Sequence, residues 1–277
     1  MAQWREETMN VNGINIHYHL VGDPQQKPTV VLLHGMTDSG LCWTHIAHAL
    51  EDEYALIMPD ARGHGHSERG EAGLDQESLA ADVAGLIQEL RLDRPYLLGH
   101  SMGGMTALVV AARYPKLVRA ILLEDPPLID RSEHMADNQR PRAGIPPWLA
   151  RLKPMTKEEM LTHIRAESPQ WDEEEYEPWV DSKVDVDPAI FEQWRSLPSW
   201  RELAAMVHCP VLLITGDPSL HAIVTPQVAV DALHYWPEGQ LIQVAGAGHN
   251  IRRDKYPEFI RAVKAFLQQM QAHQAQQ

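Results

Sequence analysis

The sequence predicts an α/β fold with a mostly parallel, doubly wound sheet, and two observations support this class. Short, near-continuous apolar stretches recur along the chain, as expected of strands buried on both faces of a parallel sheet. Segments of helical period separate them, and this alternation is typical of doubly wound α/β proteins. With 277 residues, 44% of them hydrophobic, the chain is long enough for one large core with an inserted subdomain.

The strands begin with a predicted hairpin over Met9–Val21. It turns at Asn12-Gly13, a pair that suits a two-residue hairpin loop, and apolar side chains alternate after the turn. The later apolar stretches are predicted as buried strands: Thr29–Leu33, Tyr54–Met58, Tyr96–Leu98, Ala120–Leu123, Val211–Thr215 and Gln240–Ala245. Ligands of such sheets bind beyond the carboxyl ends of the strands, so we expect functional residues directly after them.

Helices are predicted between these strands, at Trp43–Leu50, Ser78–Leu90, Met105–Arg113 and Pro257–Met270. Residues 126–208 break the alternation, because they contain no convincing strand. We predict that they form a helical cap over the active site, inserted into a core domain of residues 1–125 and 209–277. We expect most of the cap's tryptophans to form its own core and one or two to line an apolar pocket; they are Trp148, Trp171, Trp179, Trp194 and Trp200.

The charge balance argues against polyanionic partners. The net charge is −14, from 24 basic and 38 acidic residues, and the longest basic cluster is Arg252-Arg253, so we expect no binding to nucleic acid or to a membrane. Cys42 and Cys209 are too few for a disulfide framework, and residues 1–8 lack the apolar core of a signal peptide. We therefore predict a soluble, cytoplasmic monomer or homodimer that acts on a small molecule.

The segment Gly99-His100-Ser101-Met102-Gly103 carries the strongest functional signal. This G-x-S-x-G pattern stands between a predicted strand and a predicted helix, which is the context of a nucleophile elbow. Glycine at both flanking positions fits a tight turn, because a Cβ there would clash. The turn raises the Ser101 hydroxyl above the sheet at a helix N-terminus, so Ser101 is the predicted nucleophile.

A serine nucleophile needs a base and donors for an oxyanion. His249 is the predicted base, because it stands in a glycine-rich loop directly after the last strand. The loop that begins His34-Gly35-Met36 follows an earlier strand, and its Met36 N–H is one predicted oxyanion donor. The second is the N–H of Met102, directly after the nucleophile.

These motifs resemble those of the α/β-hydrolase fold superfamily. His34-Gly35-Met36 resembles its oxyanion loop, the segment Asp60–Ser67 is similar to its D-x-R-G-x-G-x-S turn, and Ser101 and His249 follow the family's order. The resemblance covers nearly the whole chain. It implies a mostly parallel eight-stranded sheet flanked by helices, a cap inserted after the sixth strand, and no metal or organic cofactor.

Histidines at metal-like spacings are accordingly not predicted as metal ligands. His64 and His66 belong to the turn that the resemblance implies to be structural. No acidic or cysteine residue flanks the remaining pairs, which are His17 with His19 and His45 with His48.

The acid that orients His249 stays open among three residues. The family usually places it after the seventh strand as Gly-x-x-Asp, whereas here Thr215-Gly216-Asp217-Pro218-Ser219 puts serine at that position and Asp217 two residues early. A minority branch takes its acid from the end of the sixth strand, and alignment on that branch favours Asp125. Glu124 is the third candidate, but neighbouring strand residues face opposite ways, so both cannot readily reach His249.

The function that the resemblance implies is a serine hydrolase acting on a carboxylic ester or lactone, through Ser101, His249 and Asp125. A serine nucleophile argues against dehalogenase and epoxide hydrolase activity, which use an aspartate in this superfamily. The tryptophans and methionines of the insertion suggest a substrate with an apolar or aromatic part. Cleavage of an amide, a carbamate or a carbon–carbon bond by the same triad, and a ligand receptor with vestigial hydrolysis, are the alternatives.

Overall fold

The structure is a computed structural model that describes residues 3–70, 74–129, 145–193 and 199–274. Its centre is an eight-stranded sheet with the order β1-β2-β4-β3-β5-β6-β7-β8. The strands are β1 (Trp4–Val11), β2 (Ile14–Val21), β3 (Thr29–Leu33), β4 (Ala55–Pro59), β5 (Tyr96–His100), β6 (Ala120–Glu124), β7 (Val211–Thr215) and β8 (Gly239–Gln243). The eight-stranded α/β fold that the sequence predicts is confirmed.

Pairing is antiparallel at one edge of the sheet and parallel in the rest. The strands β1 and β2 form the predicted hairpin, turning at Asn12 and Gly13, whose φ angles of 53° and 84° suit a tight turn. β2 also pairs antiparallel with β4, while β4, β3, β5, β6, β7 and β8 run parallel. The central strands are buried along their whole length, which explains their unbroken apolar sequences.

Helices cover both faces of the sheet. They are α1 (Thr44–Leu50), α2 (Gln76–Glu89), α3 (Met102–Arg113), α4 (Pro147–Leu152), α5 (Lys157–Glu167), α6 (Glu173–Asp185), α7 (Ile190–Gln193), α8 (Trp200–Ala204), α9 (Pro226–Leu233), α10 (Ile251–Asp254) and α11 (Tyr256–Gln274). Helices α2, α3, α8 and α9 pack on one face, and α1, α10 and α11 on the other. Two apolar cores therefore sandwich the sheet.

Helices α4 to α8 lie between β6 and β7 in the chain, which is where the sequence predicts an insertion. Around α5 and α6 they have their own apolar cluster, which includes Met160, Ile164 and Tyr176. Helix α8 differs, because Trp200 and Leu203 are buried in the main core beside α3. The division into a core and a cap at residues 126–208 stays a prediction, and residues 130–144 and 194–198 of that range, with Trp194, lie outside the described residues.

Candidate active site

Ser101 lies at the carboxyl end of β5, at the point where the chain turns into α3. Its backbone angles, φ 49° and ψ −113°, are unusual for a residue with a side chain and are typical of a strained turn. The turn is tight because a Cβ at Gly99 would collide with the Gly103 carbonyl, and one at Gly103 with the Leu33 carbonyl. The backbone thus supports the elbow conformation that the G-x-S-x-G pattern predicts.

Asp125 occupies the equivalent position on the neighbouring strand. It follows β6 directly, with a φ of 41°, and its side chain is fully buried. Its Oδ2 lies 2.6 Å from Nδ1 of His249. The same carboxylate accepts hydrogen bonds from the N–H of Ile223 at 2.7 Å and of Val224 at 2.9 Å, so both oxygens are held in place.

The other two candidate acids have different partners. Glu124 is also fully buried, but its carboxylate accepts the backbone N–H of Arg252 at 2.8 Å and lies 3.2 Å from that residue's guanidinium. Asp217 accepts the N–H of Gly246 at 3.3 Å. Among the described residues, neither carboxylate makes a hydrogen bond to the His249 imidazole. Only Asp125 of the three is in position to orient it.

His249 is held by its backbone as well as by its ring. Its carbonyl accepts a hydrogen bond of 3.0 Å from Nε2 of His100, the residue before the elbow serine, and the two imidazole rings are 4.7 Å apart. Burial, together with the nearby charge of Arg252, holds the pKa of His100 well below its usual value, so this ring stays neutral. The His249 side chain is 27% exposed, which leaves its ring open to a ligand.

The Ser101 hydroxyl is not hydrogen-bonded to the candidate base in this structure. In the part of the chain that the structure describes, the Ser101 hydroxyl has no hydrogen bond to His249. Such contacts are often long without substrate and tighten when it binds. Since Asp125 accepts at Nδ1, the Nε2 lone pair of a neutral His249 is free to take a proton.

The two predicted oxyanion donors belong to the elbow itself and to the loop that passes close to it. Met102 is the first residue of α3, and its N–H therefore lacks an intrahelical acceptor. Met36 also has no acceptor for its N–H among the described residues. The loop of Met36 passes close to the elbow, because a Cβ on Gly35 would lie 2.6 Å from the His100 ring and 3.5 Å from Cβ of Ser101.

An apolar cluster surrounds these two donors. Side chains of Met36 and Met102 pack with residues of the inserted helices, among them Leu149, Ile190 and Phe191. The described tryptophans of the insertion do not belong to this cluster: Trp148 is 40% exposed, Trp171 belongs to the insertion's own cluster, Trp200 lies in the main core, and Trp179 packs beside Lys183. Among the described residues, the apolar cluster around Met36 and Met102 therefore consists of aliphatic and methionine side chains with Phe191, and it contains no tryptophan.

The histidines of the Asp60–Ser67 turn have structural partners. Asp60 accepts hydrogen bonds from the N–H of Gly40 at 2.7 Å and of His66 at 2.9 Å, and from His17 at 2.9 Å. His64 is fully buried and contacts the Arg62 carbonyl through Nδ1. These contacts fix the turn at the carboxyl end of β4.

His45 has acidic neighbours in the structure that its neighbours in sequence do not reveal. Helix α6 brings acidic residues to it from far along the chain, and potential ligand atoms of His45, Asp172 and Glu174 lie within 4.8 Å of one another. The two acidic residues are exposed, and exposed acidic groups commonly stand together without a metal. The prediction that His45 is not a metal ligand stays a prediction.

A buried ion network next to the site was not predicted from the sequence. At its centre is Asp38, whose carboxylate contacts Lys183 at 2.8 Å, Arg252 at 3.0 Å and Arg253 at 3.3 Å. Burial disfavours the charged carboxylate, but Arg253, Lys183 and Arg252 hold the pKa of Asp38 well below its usual value. The network joins the loop of Met36, the helix after His249 and the inserted helix α6.

Comparisons with known proteins agree with this architecture. The model of a family described as alpha/beta hydrolase fold matches residues 28–154. The chain is 25% identical over 265 residues to a putative esterase/lipase of Haemophilus influenzae, covering 92% of this chain and 88% of the relative. It is 27% identical over 251 residues to a 2-(acetamidomethylene)succinate hydrolase of Mesorhizobium japonicum, covering 87% and 88%. The crystal structure of an E-2-(acetamidomethylene)succinate hydrolase superposes with a TM-score of 0.75 at 21% identity, over 96% of this chain and 100% of the other.

Proposed function

The chain belongs to the alpha/beta hydrolase superfamily, and from this premise we propose that it is a serine hydrolase that cleaves a carboxylic ester or lactone. Ser101 is the proposed nucleophile, His249 the general base and Asp125 the acid that orients it. The observation that carries the proposal is the 2.6 Å contact between Asp125 and His249 at the carboxyl edge of the sheet, beside the Ser101 elbow.

In the proposed reaction, Ser101 Oγ attacks the substrate carbonyl while its proton passes to Nε2 of His249. The resulting oxyanion accepts hydrogen bonds from the N–H groups of Met36 and Met102. When the tetrahedral intermediate collapses, the carbon–oxygen bond breaks and the leaving oxygen takes the proton from His249. Water then attacks the acyl-enzyme in the same way, releasing the acid and restoring the Ser101 hydroxyl.

The environment of Asp125 suits this role. Two backbone N–H groups, from Ile223 and Val224, stabilise its negative charge and fix its orientation. A fixed carboxylate at Nδ1 selects the histidine tautomer whose Nε2 is free, and it stabilises the imidazolium that forms during the reaction. The carboxylate holds and orients the ring without taking its proton.

The apolar cluster around the oxyanion donors supports a substrate with an apolar portion. Met36 and Phe191, which are only partly buried, would contact the acyl or alcohol group next to the reacting carbonyl. An aromatic group is compatible with this surface, but the tryptophans do not argue for one.

Both cysteines, Cys42 and Cys209, are unpaired, which supports the further proposal that the protein works in the reducing cytoplasm.

The test is hydrolysis of p-nitrophenyl esters of increasing acyl length, together with lactones, by wild type and Ser101→Ala. Wild type should turn these substrates over, and Ser101→Ala should lose at least about a thousandfold in kcat. Ser168→Ala is a matched control at the end of α5, and its activity should stay within twofold of wild type.

Equal, slow rates for wild type and Ser101→Ala would overturn the proposal. Labelling with a fluorophosphonate would then distinguish two cases. Labelling of wild type but not of Ser101→Ala would indicate a reactive serine that acts on another class of substrate, whereas no labelling of either would indicate a ligand receptor. Amide, carbamate and diketone substrates would be measured next in the first case. In the second, a ligand-dependent rise in Tm is the appropriate readout.

A further inference from the structure

We infer that Lys183, on the inserted helix α6, is a positioning residue for the oxyanion donor Met36. The inference rests on the proposed serine hydrolase and adds to it a coupling between the inserted helices and the oxyanion loop. It starts from the burial and the hydrogen bonds of one ammonium group.

Lys183 is only 2% exposed, and all three of its ammonium protons have acceptors. Nζ donates to the Thr37 carbonyl at 2.9 Å, to Oδ1 of Asp38 at 2.8 Å and to Oγ of Ser182 at 3.0 Å. Burying an ammonium costs several kcal/mol unless it is fully paired, so these contacts define one position for the side chain. Two of the three acceptors belong to the loop that follows β3.

That loop contains a strained turn. The Asp38 N–H donates to the Gly35 carbonyl at 3.1 Å, which closes a turn with Met36 and Thr37 at its centre. Thr37 has a φ of 70°, in the left-handed region that favours glycine, and there a β-branched residue costs about 1–2 kcal/mol. Thr37 directly follows Met36, whose N–H is the proposed oxyanion donor. Contacts from outside the loop must therefore maintain the turn.

Lys183 supplies such contacts at the right place. It holds the carbonyl of Thr37 and the side chain of Asp38, and so restrains the peptide that joins the strained residue to Asp38. Without the ammonium, Thr37 can relax towards an unstrained φ, and the turn that sets the direction of the Met36 N–H then changes its shape. An oxyanion donor acts mainly in the transition state, so its displacement lowers kcat more than it changes KM.

The variant Lys183→Met is suited to the test. Asp38 keeps Arg252 at 3.0 Å and Arg253 at 3.3 Å, so no carboxylate is left unpaired. Methionine has about the length of the lysine stem and is compatible with the neighbouring Trp179 ring. We expect kcat to fall about 10- to 100-fold, with KM within threefold of wild type.

Lys153→Met is the matched control. Lys153 also reaches α6, donating to the carbonyls of Val184 at 3.0 Å and Val186 at 3.1 Å, but in the described residues it has no bond to the oxyanion loop. Loss of a lysine that only stabilises the inserted helices should leave kcat within about twofold. An equal fall of kcat in both variants would overturn the inference.

Two further measurements separate positioning from stability. A boronic acid that forms a tetrahedral adduct with Ser101 should bind Lys183→Met more weakly by the same factor as kcat falls, whereas a ground-state ligand should bind unchanged. Adding Thr37→Gly to Lys183→Met should recover part of kcat, because glycine adopts a φ of 70° without strain. Unchanged boronate affinity, or no recovery in the double variant, would contradict the inference.

If Lys183→Met does not fold, Lys183→Gln is measured instead, because its amide retains a donor for the Thr37 carbonyl. We expect kcat to fall less than in Lys183→Met, and the boronate affinity to fall by the same factor as kcat. Wild-type values of both quantities would refute the positioning role. A failure of the proposed function is distinguishable, since wild type and Ser101→Ala would then already be equally inactive.

Discussion

Replacing Asp125 by asparagine tests the proposed triad most directly. Asparagine is nearly isosteric with aspartate and tolerates the φ of 41° at this position, so the backbone can stay in place. The change removes the negative charge beside Nδ1 of His249 and replaces one carboxylate oxygen by an NH2 group. Its effect depends on where that NH2 group points.

Both orientations of the amide create a conflict. With NH2 at the Oδ2 position, it faces the Ile223 N–H and donates to Nδ1 of His249, which forces the proton to Nε2 and removes the base. With NH2 at the Oδ1 position, it faces the N–H of Val224. Either way one buried donor loses its acceptor, which costs about 1–3 kcal/mol of folding stability.

The expected activity loss is larger than this stability loss suggests. A wrong histidine tautomer in a serine–histidine–aspartate triad lowers kcat by about 10⁴-fold, so we expect a fall of 10³- to 10⁴-fold for Asp125→Asn. Asp217→Asn is the control, because the contact of Asp217 is with Gly246, and its kcat should stay within twofold. Activity would be measured on the best p-nitrophenyl ester, and folding by urea denaturation. Near-wild-type kcat for Asp125→Asn together with a large loss for Asp217→Asn would refute the assignment of the acid.

Two further predictions concern stability. Gly103→Ala should destabilise the fold by about 3 kcal/mol or more in urea denaturation, because the new Cβ would collide with the Leu33 carbonyl. Gly104→Ala is the control and should cost clearly less, since the nearest atom to its Cβ would be 3.0 Å away. Similar losses of stability in the two variants would contradict the steric argument. Despite its burial, hydrogen bonds from His17 and from backbone N–H groups lower the pKa of Asp60 from 3.8 to about 2. Because Asp60 ionises more readily in the folded protein than in the unfolded chain, it stabilises the fold at pH values above its pKa in the unfolded chain. About 2 kcal/mol of the free energy of unfolding should therefore be lost as the pH falls from 4 towards 2. Asp60→Asn should abolish this part of the pH dependence of the denaturation midpoint.

Much of the fold could be predicted because its signals are local. Strands β3 to β7 are buried on both faces, so their apolar runs have almost the same bounds in sequence and structure. The hairpin turn needs a positive φ at Asn12 and Gly13, and both residue types favour it. The elbow around Ser101 could likewise be predicted, because the steric clashes that require its two glycines arise within a turn of five residues.

The choice of acid could not be made from local signals. Glu124 and Asp125 are adjacent, and which one faces His249 depends on how β6 ends. In the structure the chain turns at Asp125 with a positive φ, which directs its carboxylate towards His249, while Glu124 contacts Arg252. This distinction requires the position of residues more than a hundred places later in the chain.

The buried ion network was missed for a related reason. Lys183 and Asp38 are 145 residues apart, and a charged residue in a polar helix is normally solvated. One local signal was available: Tyr176, Val180 and Lys183 follow a helical spacing, and the first two are buried. A lysine on the apolar face of a helix indicates a buried partner, and the same reasoning applies to other inserted segments.

The hydrogen bonds at the ends of β5 and β6 have a consequence for exchange with solvent. The Ser101 amide donates to the Glu124 carbonyl, and the Asp125 amide donates to the Ile214 carbonyl, so both amides continue the ladder of the central sheet. Amide protons in such a ladder exchange with deuterium only when the whole domain opens. We therefore expect the relative position of the proposed nucleophile and the proposed acid to last as long as the central sheet itself.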